Sequence, residues 1–387
     1  MSDAENGTRK VTKDLQCQER LSFMQAELQQ QPVCLEVDIE KKLNDKVLKV
    51  CFTTRKKDGI MGILGASGCG KSMTLKCIAG IETPDRGRIV LNGRILFDSE
   101  KKINVKVQER RVGYLFQNYA LFPNMTVQEN IEVAVLYQPG TKRDKAKKEE
   151  AAEKARYYME LFRVTDVKDS YPGRMSGGQQ QRAALARIFA SDPEILMLDE
   201  PFSALDAFLK EKLQLELLQI LRTYENSILM VTHSRDEIYR FCRHMLVVEN
   251  GSQVGCGLTK EVFRNPGTTA AAKLTGCKNI EPVERLNGHK MYVPGWEATI
   301  EVRGEIPEDT THIGIRAHYL RETDKSGKNT VVCRNGQVLD DPFELVVVFE
   351  RNIWWKISKE EWKQRGEKEL PKILEIPEES LLYLREK

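Results

Sequence analysis

The sequence predicts an α/β fold built on a mainly parallel sheet that is covered by helices. Four short apolar runs are typical of strands that are buried on both faces, because they lack the alternation of half-exposed strands. These runs are Ile60–Leu64, Ile195–Leu198, Ile228–Val231 and Met245–Val248. Helical patterns lie between them, and strands that alternate with helices favour a parallel sheet. Beyond about residue 265, short β-like runs separated by turns predict a smaller β-rich part.

The bulk composition is that of a globular chain. Its 387 residues suggest two domains, and its 41% hydrophobic and 30% charged residues argue against disorder. The net charge of +3 gives no reason to expect a nucleic-acid partner, which usually requires a strongly basic face. The chain has no apolar run of about 18 residues that could span a membrane and no apolar secretory signal, so we expect it to stay in the cytoplasm.

Three regions differ in pattern. Residues 1–32 are polar and Gln-rich, and we interpret them as a leader whose order the sequence leaves open. Residues 33–265 carry the strand and helix alternation, with an amphipathic helix predicted over 141–165. Residues 266–387 are predicted to form the β-rich domain. Its strands are expected at Met291–Val293, Ala298–Val302, Ile313–Ile315, Thr330–Cys333, Glu344–Phe349 and Asn352–Ile357.

A glycine-rich segment fits the GxxxxGK[ST] pattern of a phosphate-binding loop (Walker A). It follows the run Ile60–Leu64 and precedes a predicted helix, Met73–Gly80. Glycines let consecutive backbone N–H groups surround a phosphate, and the helix N-terminus adds partial positive charge. Lys71 is predicted to contact the β- and γ-phosphates of ATP, and the Ser72 hydroxyl to bind Mg²⁺. The predicted nucleotide-binding residues are Gly65, Ala66, Ser67, Gly68, Cys69, Gly70, Lys71 and Ser72.

The nine cysteines show no metal-ligand spacing. We expect them to be unpaired thiols in a reducing compartment. Cys69 differs because it lies inside the phosphate-binding loop, where a small residue with a free backbone N–H suffices. The alternative is that oxidation of Cys69 blocks ATP binding.

Two acidic residues follow the apolar run Ile195–Leu198. Adjacent carboxylates at the end of a buried strand are costly unless they have partners. Asp199 is predicted to steady the Mg²⁺ shell, and Glu200 is predicted to be the base that polarises the attacking water. The alternative is a strand that merely exits into solvent. The phosphate-binding loop in the same chain favours the catalytic assignment.

Two further polar residues follow predicted strands. His233 comes after Ile228–Val231, at the carboxyl end where ligands of open α/β sheets bind, so we expect it to contact the γ-phosphate. Gln117 follows the run Val112–Phe116. Its position alone leaves a functional and a structural role equally open.

A second glycine-rich turn opens a helix just upstream of the acidic strand. The segment Met175–Arg182 resembles the signature of ATP-binding cassette (ABC) proteins, which usually begins with Leu rather than Met. Such a turn is a second anion site, and one chain does not need two γ-phosphate sites. We therefore expect the signature to contact ATP held by a second copy, in a head-to-tail homodimer. The signature residues assigned to the nucleotide are Ser176, Gly177, Gly178 and Gln179.

The resemblance covers about residues 33–265 and implies further roles. It implies that Gln117 senses Mg²⁺, the attacking water and a membrane partner, so this residue joins the catalytic and metal-binding sets. It also implies a helical subdomain over about 118–190 and an interface role for Asp206. The family's usual aromatic residue for stacking on adenine is missing from the segment Glu40–Asp45, so an aliphatic contact through Leu43 is expected instead.

Residues 110–131 resemble importer ATPases, in which this stretch receives the coupling helix of integral membrane permease subunits. The resemblance implies an apolar groove formed by Leu121, Phe122, Pro123 and Met125. It also implies a peripheral location on the cytoplasmic face of the cell membrane, and an extracytoplasmic substrate-binding protein that delivers the substrate.

Three other segments resemble the ATPases of oxyanion importers. Gly87–Ser99 and Leu274–Asn279 are most similar to the molybdate type, and Ile313–His318 resembles the core of a small appended TOBE-like barrel. The implied function is ATP-driven uptake of an oxyanion, with molybdate placed first. The alternatives are sulfate or another imported substrate, and a soluble ABC ATPase that does not transport. Arg316 and His318 would either sense the oxyanion or serve a dimer-stabilising or regulatory contact.

Overall fold

The computed structural model describes residues 32–56, 58–138, 145–203, 207–366 and 369–386. All but the last residue of the predicted leader 1–32 lie outside this part, and so does Asp206. Within the described ranges, no helix is both long enough and apolar enough to cross a membrane.

An eleven-stranded sheet organises the first two thirds of the chain, in the order β6-β5-β4-β1-β2-β11-β10-β3-β9-β8-β7. The strands are β1 (Val33–Leu43), β2 (Lys46–Arg55), β3 (Ile60–Leu64), β4 (Arg86–Leu91), β5 (Arg94–Asp98), β6 (Ile103–Asn104), β7 (Val112–Leu115), β8 (Ile195–Asp199), β9 (Ser227–Thr232), β10 (His244–Glu249) and β11 (Ser252–Leu258).

The half of the sheet from β10 to β7 is parallel, as the apolar runs predict. All residues of β3, β8 and β9 are buried. The other half, from β6 to β2, is antiparallel. Its hairpin β4–β5 lies in the segment Gly87–Ser99, for which no strand was predicted.

Helices cover the sheet and form a separate cluster beside it. They are α1 (Lys71–Ala79), α2 (Val127–Leu136), α3 (Lys145–Leu161), α4 (Gly177–Ala190), α5 (Ala207–Leu221), α6 (Arg235–Phe241), α7 (Thr259–Arg264), α8 (Thr269–Leu274) and α9 (Lys359–Gln364). The predicted amphipathic helix is confirmed as α3, which buries Ala151, Ala155 and Met159. Helices α2, α3 and α4 share one apolar core and fall within the predicted helical subdomain.

The C-terminal third is β-rich, as predicted. Its strands are β12 (Asn279–Pro282), β13 (Glu284–Asn287), β14 (Lys290–Val293), β15 (Ala298–Glu301), β16 (His312–Ile315), β17 (Arg321–Glu322), β18 (Thr330–Val332), β19 (Gln337–Asp340), β20 (Glu344–Phe349), β21 (Ile353–Ser358), β22 (Ile373–Glu375) and β23 (Leu382–Leu384). In the described residues they form three-stranded sheets around a core that includes Trp296, Val347 and Trp355. The TOBE-like barrel remains a prediction.

The chain's last strand returns to the start of this region. Arg385 donates its backbone N–H to the carbonyl of Gly267 at 3.1 Å and accepts from the N–H of Thr269 at 3.0 Å. Beside this contact, Leu384 packs with Ala272 and Cys277. These hydrogen bonds and apolar contacts therefore attach the β-rich part to helix α8.

Candidate nucleotide-binding and hydrolytic site

The predicted site residues meet where neighbouring strands of the parallel sheet end. Strands β3, β9 and β8 are adjacent, and their registers pair Leu64 with Thr232 and Asp199 with Val231. The segments that follow these strands therefore leave the sheet along one edge. This edge is where open α/β sheets bind ligands.

The phosphate-binding loop joins β3 to α1 through backbone that requires glycine. Gly68 and Gly70 have φ of 75° and 105°, and a Cβ on Gly65 would lie 2.3 Å from the carbonyl oxygen of Val248. The loop ends at the N-terminus of α1, where backbone N–H groups have no partner within the helix. Lys71 is buried, and its Nζ donates to the carbonyls of Gly65 and Ala66 at 2.9 Å each. Loop and lysine together provide a cradle for an anion.

Asp199 is held on both carboxylate oxygens. The Ser72 hydroxyl donates to Oδ1 at 2.8 Å, which brings together two of the three residues predicted to serve Mg²⁺. The Tyr114 hydroxyl donates to Oδ2 at 2.8 Å. Burial, reinforced by the charge of Asp199, raises the pKa of Tyr114, so its phenol stays protonated as a donor. Tyr114 was not predicted, although a hydroxyl in the apolar run before Gln117 is a signal that could have identified it.

Mg²⁺ suits the donors that the site contains. In the described part of the chain, no group of three or more His, Cys, Asp or Glu side chains could hold a metal ion alone. Ser72 and Asp199 offer a hydroxyl and a carboxylate within 2.8 Å of each other. Mg²⁺ prefers oxygen ligands and completes its shell with water and nucleotide phosphates, so two protein ligands fit it.

Glu200 and His233 form the second pair of the site. The Nδ1 of His233 lies 3.2 Å from Oε1 of Glu200, and the glutamate side chain is mostly buried while the histidine is exposed. Glu200 has a φ of 47°, a left-handed conformation that costs about 1–3 kcal/mol for a residue with a side chain. Its N–H donates to the carbonyl of Val231 at 2.9 Å. This strained backbone conformation fixes the direction in which the Glu200 side chain projects from the end of β8.

A buried glutamate positions the segment that carries His233. The Thr232 hydroxyl donates to Oε2 of Glu237 at 2.6 Å and accepts from the Ser234 N–H at 3.0 Å. Lys210 pairs with the other oxygen of Glu237 at 2.7 Å. Sequence patterns gave no signal for Glu237, because its partners come from β9 and α5.

Gln117 lies exposed after β7, at the edge of the sheet beside β8. In the described residues, it makes no hydrogen bond with Asp199 or Glu200. The structure therefore places it near the same edge without joining it to the two carboxylates. The loop that follows has two left-handed residues, Tyr119 and Ala120, with φ of 61° and 47°.

The signature turn opens α4 at the surface. Ser176 caps the helix: its hydroxyl accepts from the Gln179 N–H at 3.3 Å, while its own N–H donates to the Gln179 side chain at 2.9 Å. Ser176 and Gly177 are exposed, and Met175 is buried in the position usually occupied by Leu. No hydrogen bond joins this turn to the phosphate-binding loop within the described part of the chain.

Two other predictions concern neighbouring positions. Leu43 is partly buried near the phosphate-binding loop, with its Cδ1 3.7 Å from where a Cβ on Gly70 would lie. Arg316 donates to the carbonyls of Thr275, at 2.7 Å, and Phe263. These bonds hold the segments that end α7 and follow α8, a role inside the chain that neither predicted alternative, oxyanion sensing or a dimer-stabilising or regulatory contact, had named. Burial and then the nearby charge of Arg316 lower the pKa of His318, which weakens that residue as an anion ligand.

All eight described cysteines are free thiols, as expected. Cys69 is buried, and burial raises the pKa of its thiol. A raised pKa disfavours the thiolate that oxidants attack. The geometry therefore favours the simple structural role of Cys69 in the loop.

The fold and the site define a nucleotide-binding protein with a phosphate-binding loop. Residues 49–203 match the family model described as ABC transporter. The chain is 35% identical over 314 residues to the Fe(3+) ions import ATP-binding protein of Haemophilus influenzae, covering 81% of this chain and 87% of that protein. It therefore belongs to the ABC transporter family, among the import-type ATP-binding proteins.

Other relatives are named for different substrates. The spermidine/putrescine import ATP-binding protein of Oleidesulfovibrio alaskensis is 38% identical over 218 residues, which cover 56% of this chain and about half (55%) of that protein. A sulfate/thiosulfate import ATP-binding protein of Agrobacterium fabrum is 34% identical, covering 73% of this chain and 83% of its own length.

A solved structure supports the fold. It is that of cbiO1 from Clostridium perfringens, part of the ABC transporter complex cbiONQ, with a TM-score of 0.51 and 23% identity. The match covers 60% of this chain and 90% of that one, and it shows the cassette fold alone.

Proposed function

We propose that this chain is the ATP-hydrolysing subunit of an importer. The arrangement of Asp199 and Glu200 carries the proposal. Asp199 lies 2.8 Å from the Ser72 hydroxyl of the phosphate-binding loop, and the adjacent Glu200 lies 3.2 Å from His233. One strand end thus presents a metal-binding carboxylate and, next to it, a carboxylate free to polarise water.

Each residue then has a separate task in hydrolysis. Lys71 exchanges its loop carbonyls for the β- and γ-phosphates, while Ser72 and Asp199 hold Mg²⁺, which neutralises phosphate charge when it is bound. Glu200 orients and polarises the attacking water. His233, exposed beside Glu200, contacts the γ-phosphate, and Gln117 approaches the metal and the water from the edge of the sheet.

The proposed active form is a head-to-tail homodimer. Its support is the exposed N-terminus of α4, where Ser176 and Gly177 can meet an anion that their own chain does not bring to them. The second copy would supply this anion as the γ-phosphate of its ATP. Asp206 is proposed to serve the same interface. ATP would then close the dimer, and hydrolysis would reopen it.

A groove between the sheet edge and the helical cluster is the proposed docking site for a permease subunit. It has a volume of about 720 Å³ and lies beside the loop that follows Gln117. Phe122 and Met125 line it, as the importer resemblance implies, whereas Leu121 packs into the neighbouring core. Exposed Phe122 and Tyr137 suit an apolar helix face as the occupant. Docking there would place the chain on the cytoplasmic face of the membrane.

The proposed substrate class is an oxyanion delivered by an extracytoplasmic binding protein. The choice of molybdate rests on the resemblance of the segments Gly87–Ser99 and Leu274–Asn279 to molybdate-type ATPases. Sulfate gains support from the Agrobacterium relative, which is named for sulfate/thiosulfate. Because other relatives are named for Fe(3+) ions and for spermidine/putrescine, these substrates are also included in the experiment below.

The experiment combines purification with transport. The full chain should hydrolyse ATP, co-purify with membrane subunits encoded beside it, and support uptake of labelled oxyanion in vesicles. Competition with unlabelled molybdate, sulfate, spermidine and Fe³⁺ would rank the substrates. Co-purification with ribosomes and no membrane subunit would favour the soluble, non-transporting alternative, and a chain without ATP hydrolysis would contradict the proposal.

A further inference from the structure

The loop after Gln117 has a backbone that its own residues do not favour. Tyr119 and Ala120 are successive residues with φ of 61° and 47°. Contact between Cβ and the backbone disfavours this left-handed region for L-amino acids, so it persists only where the surroundings impose it. Among the residues that the structure describes, the buried Tyr119 hydroxyl also has no hydrogen-bond partner. Backbone hydrogen bonds from the Tyr119 N–H to the carbonyl of Phe116 and from the Ala120 N–H to that of Asn118 help to hold this conformation, and groups outside the loop complete it.

Arg187, in the last turn of α4, holds the two strained residues. Its Nη1 donates to the carbonyl of Ala120 at 2.7 Å, and its Nη2 donates to the carbonyl of Tyr119 at 3.2 Å. The planar guanidinium presents donors on two separate nitrogens in a fixed fork, whereas a lysine ammonium offers its donors from a single nitrogen on a flexible stem. Burial lowers the pKa of Arg187 to about 10, so the group is still cationic at neutral pH.

The same guanidinium reaches the wall of the docking groove. Its Cζ lies 5.4 Å from the centre of the Phe122 ring. The backbone of Phe122 is fixed from the other side by buried Asn130, which accepts from its N–H at 2.8 Å and donates to its carbonyl at 3.1 Å. The loop from Gln117 to Phe122 is thus anchored to α2 by Asn130 and to α4 by Arg187.

Helix α4 connects Arg187 directly to the signature turn. The helix is capped by Ser176 and runs without interruption from Gly177 to Ala190. Arg187 follows Ser176 by 11 residues (187 − 176), which is about three turns at 3.6 residues per turn. The two residues therefore lie on the same side of one helix, and a movement of its N-terminus carries Arg187 with it.

We propose that Arg187 is a positioning residue that couples the signature turn to Gln117. When Ser176 and Gly178 close on a nucleotide, α4 moves, and Arg187 moves the loop of Tyr119 and Ala120. Gln117 and the Phe122 wall of the groove then shift together. This inference rests on the proposed ATP-dependent dimer. Arg187 acts through two peptide groups and does not contact the nucleotide.

The first test replaces Arg187 with lysine in the full chain and measures ATP hydrolysis and ATP binding. R187K keeps the charge and loses the fixed fork of donors on two nitrogens. We expect kcat to fall by about ten- to a hundred-fold, as for misplaced catalytic groups. Affinity for a fluorescent ATP analogue should stay at the wild-type level, because the phosphate-binding loop is not touched. R163K is the matched control, since Arg163 makes a surface ion pair with Glu216 in the same helical region, and it should keep wild-type kcat.

The second test relieves the strain at its source. Glycine enters the left-handed region without the Cβ penalty, so Ala120→Gly should let the loop keep its shape when Arg187 is altered. The R187K/A120G double variant should regain the thermal stability that R187K loses and keep its low kcat, because glycine relieves the strain without restoring the link to α4. A static role of Arg187 in shaping the loop would instead restore kcat. If R187K alone does not fold, kcat is measured on the double variant and should still lie about ten- to a hundred-fold below the wild type.

The outcomes separate this inference from the proposed function. Wild-type kcat in R187K, or recovery of wild-type kcat in the double variant, would overturn the coupling role of Arg187. A wild-type chain that does not hydrolyse ATP would overturn the proposed function itself.

Discussion

The Tyr114 hydroxyl lies 2.8 Å from Oδ2 of Asp199, on the opposite side of the carboxylate from the Ser72 hydroxyl. The phenol orients the carboxylate whose other oxygen faces the phosphate-binding loop. Partners of this kind tune the metal ligands they contact. Tyr114 therefore belongs to the candidate site although it reaches no nucleotide.

Tyr114→Phe should weaken the response to Mg²⁺. The substitution keeps the ring and removes the donor, so one oxygen of Asp199 loses its partner. Loss of an outer partner typically costs about ten- to a hundred-fold in metal affinity. We expect the Mg²⁺ concentration for half-maximal ATP hydrolysis to rise in that range. Tyr137→Phe, at the C-terminus of α2 and outside the metal site, is the control. An unchanged Mg²⁺ titration of Tyr114→Phe would show that the phenol does not act through Asp199.

Glu200→Gln should separate ATP binding from hydrolysis. The amide keeps the size of the side chain and cannot act as a base, so we expect kcat to fall by about 10²–10⁴-fold. ATP should still close the dimer, because Lys71, Ser72 and Asp199 are unchanged. Light scattering with and without ATP would measure the dimer. Normal turnover in this variant would remove Glu200 from its assigned role.

Arg110→Met should destabilise the helix that carries the phosphate-binding loop. Arg110 is fully buried, and its guanidinium donates to the carbonyls of Cys77 and Ile78 at the end of α1, as well as to Val105 and Asn104. The carbonyl of Cys77 keeps the Gly80 N–H as a partner, but those of Ile78 and Val105 lose the hydrogen bond to Arg110, at about 1–3 kcal/mol each. We expect the free energy of unfolding, from urea titration, to fall by at least about 3 kcal/mol.

The neighbouring arginine is the control for that measurement. Arg111 is largely exposed and pairs with Glu194 at 3.5 Å, so Arg111→Met should cost about 0–1 kcal/mol. Equal losses for the two variants would show that the buried hydrogen bonds of Arg110 do not stabilise α1.

Local patterns predicted the elements that a single stretch of sequence defines. Three of the apolar runs form β3, β8 and β9, and the spacing of the glycines and the lysine identified the phosphate-binding loop. The contact between Ser72 and Asp199 could also be predicted, because the segments that carry the two residues follow strands that end at the same edge of the sheet.

The residues that were missed depend on contacts distant in sequence. Arg110 binds carbonyls 32 and 33 residues away, and Arg187 binds those of residues 67 and 68 positions away. Nothing in the local sequence distinguishes an arginine that has such a distant partner, and exposed arginines are far commoner than buried ones. Arg316 is the opposite case. The sequence suggested that it could bind an oxyanion, whereas in the structure it donates hydrogen bonds to two backbone carbonyls of the same chain.

Phe122→Ala should weaken docking of the membrane subunit while leaving ATP binding intact. Full burial of such a side chain is worth about 1.5–3 kcal/mol, and Phe122 is 46% exposed in the groove, so a partner that covers its exposed part gains about 0.7–1.4 kcal/mol. At about 1.4 kcal/mol per tenfold, we expect the affinity for the membrane subunit to fall by roughly three- to ten-fold. Phe343→Ala is the matched control, because Phe343 is 85% exposed in the β-rich part and lies outside the groove. Both variants should bind a fluorescent ATP analogue as the wild type does. If Phe343→Ala lost the membrane subunit and Phe122→Ala kept it, the partner would dock on the β-rich part, and the groove beside Gln117 would need another occupant.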